Sequence, residues 1–175
     1  MNHVLNSGIL ALVLGVGAPQ AMVDPPDAVR PRLAAPQLIV VHGPALDHPV
    51  LLKDWGENAR LMHGLVPFEK AETSQFVRGL MTRGVSAIDT AGRKSFEVAL
   101  FWAPVATRLT ARGLPMEQWP VGEADQHARF FPETGRDAAL WIFVISPAGA
   151  IAHARRFTPE ALSILSRNGL PTTTR

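Results

Sequence analysis

Two short stretches of the chain contain the residue types that ligand binding, acid–base chemistry or metal binding requires. The first holds His42, Asp47 and His48, which follow an apolar run and lie among glycine and proline. Imidazole and carboxylate groups at the end of a strand can converge at the rim of a sheet, where ligands gather. The spacing matches no established metal-binding motif, so it favours histidines that hydrogen-bond within a loop over a metal site.

The second stretch holds a carboxylate, an imidazole and a guanidinium at alternate positions, close to three aromatic residues. Such a set can bind a small anion or another polar ligand, and long irregular segments are where such sites reside. The alternative is a solvated loop with aromatic side chains packed beneath it. We predict no catalytic residue, metal or cofactor, and a ligand site drawn from His42, Asp47, His48, Asp125, His127 and Arg129.

Local sequence signals predict the elements that carry the first stretch. Leu38–Val41 is a continuous apolar run, typical of a buried strand, and Val50–Leu52 is a second short run. Asp54 at a cap position, Glu57 three residues later and Gly64 beyond the last apolar position predict a helix. The pair Asp54 and Glu57 resembles a capping box, in which both side chains hydrogen-bond to the backbone.

Three further helices are predicted from apolar spacing, proline and cap residues. Phe68–Met81 places apolar residues on one helical face, and Val105–Arg112 forms a short helix after Pro104. Thr158, followed by Pro159 and an acidic first turn, predicts a final helix that ends at a glycine.

Two hairpins are predicted from strand-forming runs joined by turns that end in glycine. One pairs Val85–Ile88 with Ser95–Trp102, and the other pairs Ala139–Ile145 with Ala150–Phe157. Residues 116–137, which carry the second stretch of candidate site residues, have no clear period. That length is long for a connection, so the segment either carries function or contains an unrecognised element.

The composition excludes several classes of protein. The chain has 175 residues, no cysteine, and 17 basic against 15 acidic residues. Without cysteine there can be no disulfide framework, iron–sulfur cluster, Cys-ligated zinc or Cys nucleophile. No basic run exceeds the pair Arg155 and Arg156, so we expect no nucleic-acid partner.

The N-terminal segment is typical of an export signal. Residues 1–23 contain no charged side chain, and Gly8–Ala18 is an unbroken run of small and apolar residues, too short to span a bilayer as a helix. We predict a signal at 1–21, a proline-rich linker at 22–36, one globular domain at 37–170 and a tail at 171–175. The protein is then periplasmic or secreted. The alternatives are an uncleaved membrane anchor, or a cytoplasmic protein whose translation starts at Met22.

Two segments resemble parts of the thioredoxin-like fold. Phe96–Pro104 (FEVALFWAP) is similar to the central strand of that family, and Ala139–Gly169 is similar to its closing hairpin and final helix. Where the family has Cys-x-x-Cys, this chain has Val105–Leu109, and no proline immediately precedes Ala139. The resemblance therefore implies the scaffold without its thiol chemistry.

These observations predict an α/β or α+β domain with a mixed sheet of about five strands flanked by helices. The chain has no Gly-x-Ser-x-Gly elbow and no P-loop. We therefore predict a non-catalytic binding or interaction module whose partner is a protein or a small anionic or polar ligand. The alternative is a hydrolytic or metal-dependent enzyme that uses the histidine and aspartate cluster.

Overall fold

Seven strands and four helices form the part of the chain that the structure describes. The structure is a computed structural model, and it describes residues 34–67, 75–83, 95–132, 141–145 and 151–172. The strands are β1 (Leu38–His42), β2 (Val50–Leu52), β3 (Leu65–Pro67), β4 (Phe96–Phe101), β5 (Gln126–Phe131), β6 (Trp141–Ile145) and β7 (Ile151–Phe157). The helices are α1 (Trp55–His63), α2 (Gln75–Arg83), α3 (Ala103–Ala111) and α4 (Pro159–Arg167), and two 3₁₀ turns lie at Met116–Gln118 and Val121–Glu123.

All seven strands belong to one sheet in the order β2-β1-β4-β5-β6-β7-β3, and each of its ladders is antiparallel. The predicted combination of sheet and flanking helices is confirmed. The predicted five strands and mixed pairing were wrong. β3 has only three residues, too few for a periodic signal, and β5 lies in the segment for which the sequence showed no period.

Alternation along β4 shows how the sheet divides its side chains between two faces. Phe96, Val98 and Leu100 belong to one apolar cluster, whereas Ala99 and Phe101 belong to a second cluster. Successive side chains of a strand point to opposite faces, so each cluster marks one face of the sheet. Glu97 is the exposed residue of this strand and lies on the same face as Ala99 and Phe101.

The first face of the sheet is covered by α1 and α4. Leu61 of α1 and Ile164 of α4 are buried in the same cluster as Val98 and Phe130 of the sheet. Close contact between these helices depends on Gly64, because a Cβ atom there would lie 2.5 Å from the Cβ of Ala161.

The second face is covered in part by α3. Val105 and Leu109 of this helix pack with Ala99 and Phe101 of β4, and Trp119 closes the cluster from the first 3₁₀ turn. The Trp119 ring lies 5.4 Å from the ring of Phe101 and donates its Nε1–H to the carbonyl of Leu114.

The two predicted helix caps are confirmed, but the predicted contact of the Glu57 side chain was wrong. Asp54 accepts a hydrogen bond from the Glu57 amide at 2.7 Å, and Thr158 accepts one from the amide of Ala161, as predicted. The predicted return bond from the Glu57 side chain to the backbone was wrong. Its carboxylate accepts from Arg167 at 2.9 Å and from Asn168 at 3.2 Å, because α4 brings donors to the start of α1.

The second predicted hairpin is confirmed, since β6 and β7 pair in antiparallel fashion; its predicted turn, Ser146–Gly149, lies outside the described residues. The first predicted hairpin has only its second arm, β4, within them, and Val85–Ile88 lies outside. Both edges of β4 are already occupied, by β1 and β5. Of the predicted helix Phe68–Met81, residues 75–81 are helical and 68–74 lie outside the described part.

The predicted signal at 1–21 and most of the linker at 22–36 also lie outside the described residues. Leu33–Arg175 forms one compact unit. None of the helices in the described ranges has the length and hydrophobicity needed to cross a bilayer.

Candidate functional site

A row of three charged or polar side chains crosses three neighbouring strands on the second face of the sheet. His42 at the end of β1 lies directly opposite Glu97 of β4, and Glu97 lies directly opposite Arg129 of β5. Directly opposed residues of an antiparallel pair project from the same face. The sheet register therefore brings two of the predicted site residues, His42 and Arg129, to either side of a carboxylate. We call these three residues the charged row.

The carboxylate of Glu97 contacts both of its neighbours. Its Oε1 lies 3.0 Å from Nη2 of Arg129, and its Oε2 lies 3.6 Å from Nε2 of His42. The side chain of Glu97 is 52% exposed, whereas that of Arg129 is 18% exposed. The guanidinium is thus the more enclosed member, and the carboxylate faces solvent.

Ser95 extends the charged row and shows what chemistry the row supports. Its hydroxyl accepts a hydrogen bond from Nη1 of Arg129 at 3.3 Å. A serine nucleophile needs a neighbouring base to take its proton, and a guanidinium is a donor only and cannot do so. The arrangement is suited to holding a polar ligand through several donors and one carboxylate.

His127 lies next to the charged row on the same face. It is two residues from Arg129 along β5 and directly opposite Ala99 of β4, which α3 covers. Residues two apart on a strand share a face and are separated by about 7 Å. Since His127 is exposed, it lies at the boundary between the helix-covered part of this face and the charged row.

Asp125 has a structural role instead. One oxygen of its carboxylate accepts the backbone N–H of Trp102 at 2.7 Å, and its own amide donates to the carbonyl of Leu100 at 3.1 Å. Trp102 is the residue at which β4 passes into α3. The carboxylate therefore fixes the start of that helix, and it is not a member of the charged row.

Asp47 and His48 are exposed in the loop between β1 and β2. The structure gives their side chains no hydrogen bond or ion pair with the described residues. In those same ranges, no group of three histidine, aspartate or glutamate side chains is placed to hold a metal ion.

Comparisons with known proteins identify no relative. No family model, curated protein or solved structure matches the chain.

Sequence reasoning missed Glu97 and Ser95, which connect His42 to Arg129. Both residues were assigned to a strand and given no role. A signal was present in the strand itself, because Glu97 is the only charged residue in the run FEVALF. A single charged residue in an otherwise apolar strand marks the position at which the side chain leaves the core, and a neighbouring strand can bring a partner to it.

Proposed function

We propose that this protein is a non-catalytic binding module whose charged row binds a small molecule that carries an anionic group. The observation that carries the proposal is the convergence of His42, Glu97 and Arg129 from three strands on one sheet face. The charged row lies on the part of the second face next to the residues that α3 covers. Ser95 and His127 are its neighbours on that face. Hydrogen-bond donors outnumber the single carboxylate, which favours an acceptor-rich ligand.

The rigidity of the site supports this proposal. Each member of the charged row stands on a strand that is paired on both sides, so the sheet sets the spacing of the backbone positions that carry these side chains. Ligand pockets combine such a fixed frame with a few convergent polar groups.

A thioredoxin-like scaffold and export from the cytoplasm are further parts of the proposal. The order β4–α3, and later β6–β7–α4, agrees with the two segments that resemble the family. The uncharged N-terminal run supports export. On this view the scaffold is used for binding, since the chain has no cysteine for thiol chemistry.

Calorimetric titration of the full chain with phosphate, citrate and acetate tests the binding function. We expect one of these anions to bind and the affinity to fall at least tenfold in Arg129→Gln. Arg108→Gln is the matched control, because Arg108 is an exposed arginine of α3 that pairs with Glu123. The exposed His127→Ala gives a second variant if Arg129→Gln unfolds.

Two results would contradict the proposal. One is that none of the three anions binds, or that all variants bind equally. The other is turnover in a screen of general hydrolase substrates that is lost in His127→Ala, which would favour the enzymatic alternative.

A further inference from the structure

The chain contains one asparagine that is followed by glycine, Asn168 at the end of α4. An Asn–Gly pair is a reactive setting for deamidation, because glycine has no Cβ to hinder attack by its backbone nitrogen. In that reaction the backbone nitrogen after the asparagine loses its proton and bonds to Cγ, and the side-chain nitrogen leaves as ammonia. Water then opens the succinimide ring, which leaves aspartate or isoaspartate at the position.

The backbone at the end of α4 holds the Gly169 nitrogen away from this reaction. Gly169 has a φ of 78° and donates its N–H to the carbonyl of Ser166 at 3.0 Å. The amide of Leu170 donates to the carbonyl of Leu165 at 3.1 Å, which completes a Schellman motif. The ψ of Asn168 is 16°, so the Gly169 nitrogen nearly eclipses the nitrogen of Asn168. Ring closure requires it to eclipse Cβ instead.

The side chain of Asn168 is held by two hydrogen bonds. Its Nδ2 donates to the carbonyl of Ile164 at 2.9 Å and to Oε2 of Glu57 at 3.2 Å. The first bond lies within α4, whereas the second joins α4 to α1. Glu57 is itself held by Arg167, whose Nη2 lies 2.9 Å from Oε1. Because the carboxylate belongs to another helix, an Asn168 side chain that turns toward the Gly169 nitrogen loses its bond to Glu57.

We propose that Asn168–Gly169 is a deamidation site of this protein and that Glu57 controls how fast it reacts. The asparagine reacts in the fraction of molecules in which the end of α4 has opened locally, and the bond to Glu57 lowers that fraction. Gly169 is exposed, so water reaches the succinimide once it forms. This proposal does not depend on the ligand of the charged row.

The product of the reaction weakens the contact that protects the site. An aspartate at position 168 places a second carboxylate opposite Glu57, at the end of a helix where the dipole is negative. An isoaspartate also lengthens the backbone before Leu170, which is 3% exposed and packs in the apolar cluster of the first face. Deamidation therefore loosens α4 from α1.

Mass spectrometry of the full chain tests the role of Glu57. The proteins are incubated in mildly alkaline buffer, and the mass increase from amide to acid is followed in the peptide released by cleavage after Glu160, which contains Asn168. The wild type is compared with Glu57→Ala, Glu57→Gln and Val40→Ala. Val40→Ala is the matched control, because it removes buried methyl groups on the opposite face of the sheet and lowers the overall stability without touching α4.

We expect Asn168 to react more slowly in the folded wild type than in the wild type unfolded in urea. Glu57→Ala should raise the rate in the folded protein about fivefold, the factor that corresponds to the loss of one ordinary hydrogen bond. Glu57→Gln retains an acceptor oxygen and should raise the rate less, and it replaces Glu57→Ala if that variant does not fold. Val40→Ala should react at the rate of the wild type. Asn58, which is buried and precedes an alanine, should stay intact in every folded protein.

Asn168→Asp reproduces the charge of the product and tests its effect on the fold. We expect this variant to melt at a lower temperature than the wild type. The loss should be smaller when Glu57→Gln is also present, because one of the two facing charges is then removed. Equal melting temperatures of Asn168→Asp and the wild type would show that the product does not loosen α4.

Three results of the mass spectrometry would overturn the proposal. One is that Asn168 does not react even in the chain unfolded in urea. Another is that the folded wild type and both Glu57 variants react at the same rate. The third is an equal increase in Glu57→Ala and Val40→Ala, which would assign the reaction to global unfolding.

Discussion

Glu97 and Arg129 face each other directly across the ladder between β4 and β5, with Oε1 and Nη2 separated by 3.0 Å. The exposed carboxylate thereby holds a guanidinium that is itself largely enclosed. The same carboxylate reaches His42 on the other side, so one residue joins side chains from three strands. The proposed ligand site depends on this relationship.

A double-mutant cycle should show that the two residues are energetically coupled. We expect Glu97→Ala and Arg129→Ala to interact by about 0.2–1 kcal/mol, the range for opposite charges that face each other across a sheet. Urea unfolding of the wild type, both single variants and the double variant measures this coupling. Additive effects of the two substitutions would show that the pair contributes no coupling.

Asp125→Ala should destabilise the fold by about 1 kcal/mol, because the backbone N–H of Trp102 loses its acceptor at the start of α3. Asp125→Asn is the matched variant, since it keeps an oxygen acceptor and should retain most of the stability. Urea unfolding compares the two. If both variants have the stability of the wild type, Asp125 does not fix this junction.

Gly64→Ala should destabilise the fold by about 1–3 kcal/mol, the usual cost of overpacking a close contact. The added Cβ would lie 2.5 Å from the Cβ of Ala161 and 2.7 Å from Oγ1 of Thr158, so α4 must move away from α1. Gly122→Ala is the control, because a Cβ there meets nothing within 4 Å. Thermal unfolding should separate the two variants clearly, and equal melting temperatures would contradict the close helix contact.

The Glu117 carboxyl should titrate below its ordinary pKa of 4.5. The hydrogen bond from Lys53 is the largest cause of the lowered pKa, and a backbone hydrogen bond and the charge of Lys53 act in the same direction. Lys53→Met should therefore raise the pKa of Glu117 toward its ordinary value, as measured by NMR titration. A group with a lowered pKa in the folded state stabilises the fold above its unfolded pKa, and this stabilisation is lost as pH falls through the folded value. An unchanged pKa in Lys53→Met would contradict the contact.

The local parts of this fold could be predicted from sequence, and the non-local parts could not. Asp54 and Thr158 identified helix starts because a cap bonds within three residues of itself. β5 was missed because its alternation of polar and apolar residues is short. His127 and Arg129 alternate with the buried Ala128 and Phe130, but the next residue, Phe131, is also buried. The carboxylate of Glu57 was misassigned because its partners are more than a hundred residues away.

The candidate site was predicted only in part, because it too combines local and non-local features. His42 and Arg129 were chosen by residue type, and the sheet does bring them to one face. Their connection through Glu97 depends on which strands are neighbours, and that information is absent from any local window of sequence. Asp125 has a carboxylate that could bind a ligand, but one of its oxygens accepts a hydrogen bond from the backbone N–H of Trp102.

An NMR titration of the isotopically labelled full chain shows whether the ligand binds at the charged row. The ligand is whichever of phosphate, citrate and acetate binds in the calorimetric titration. We expect saturable shifts at the backbone amides of His42, Glu97, His127 and Arg129, and we expect these shifts to need at least tenfold more ligand in Arg129→Gln. The amides of α1 and α4, on the opposite face of the sheet, should not move. Saturable shifts confined to that opposite face, or shifts at the charged row that saturate at the same ligand concentration in Arg129→Gln, would show that the charged row is not the ligand site.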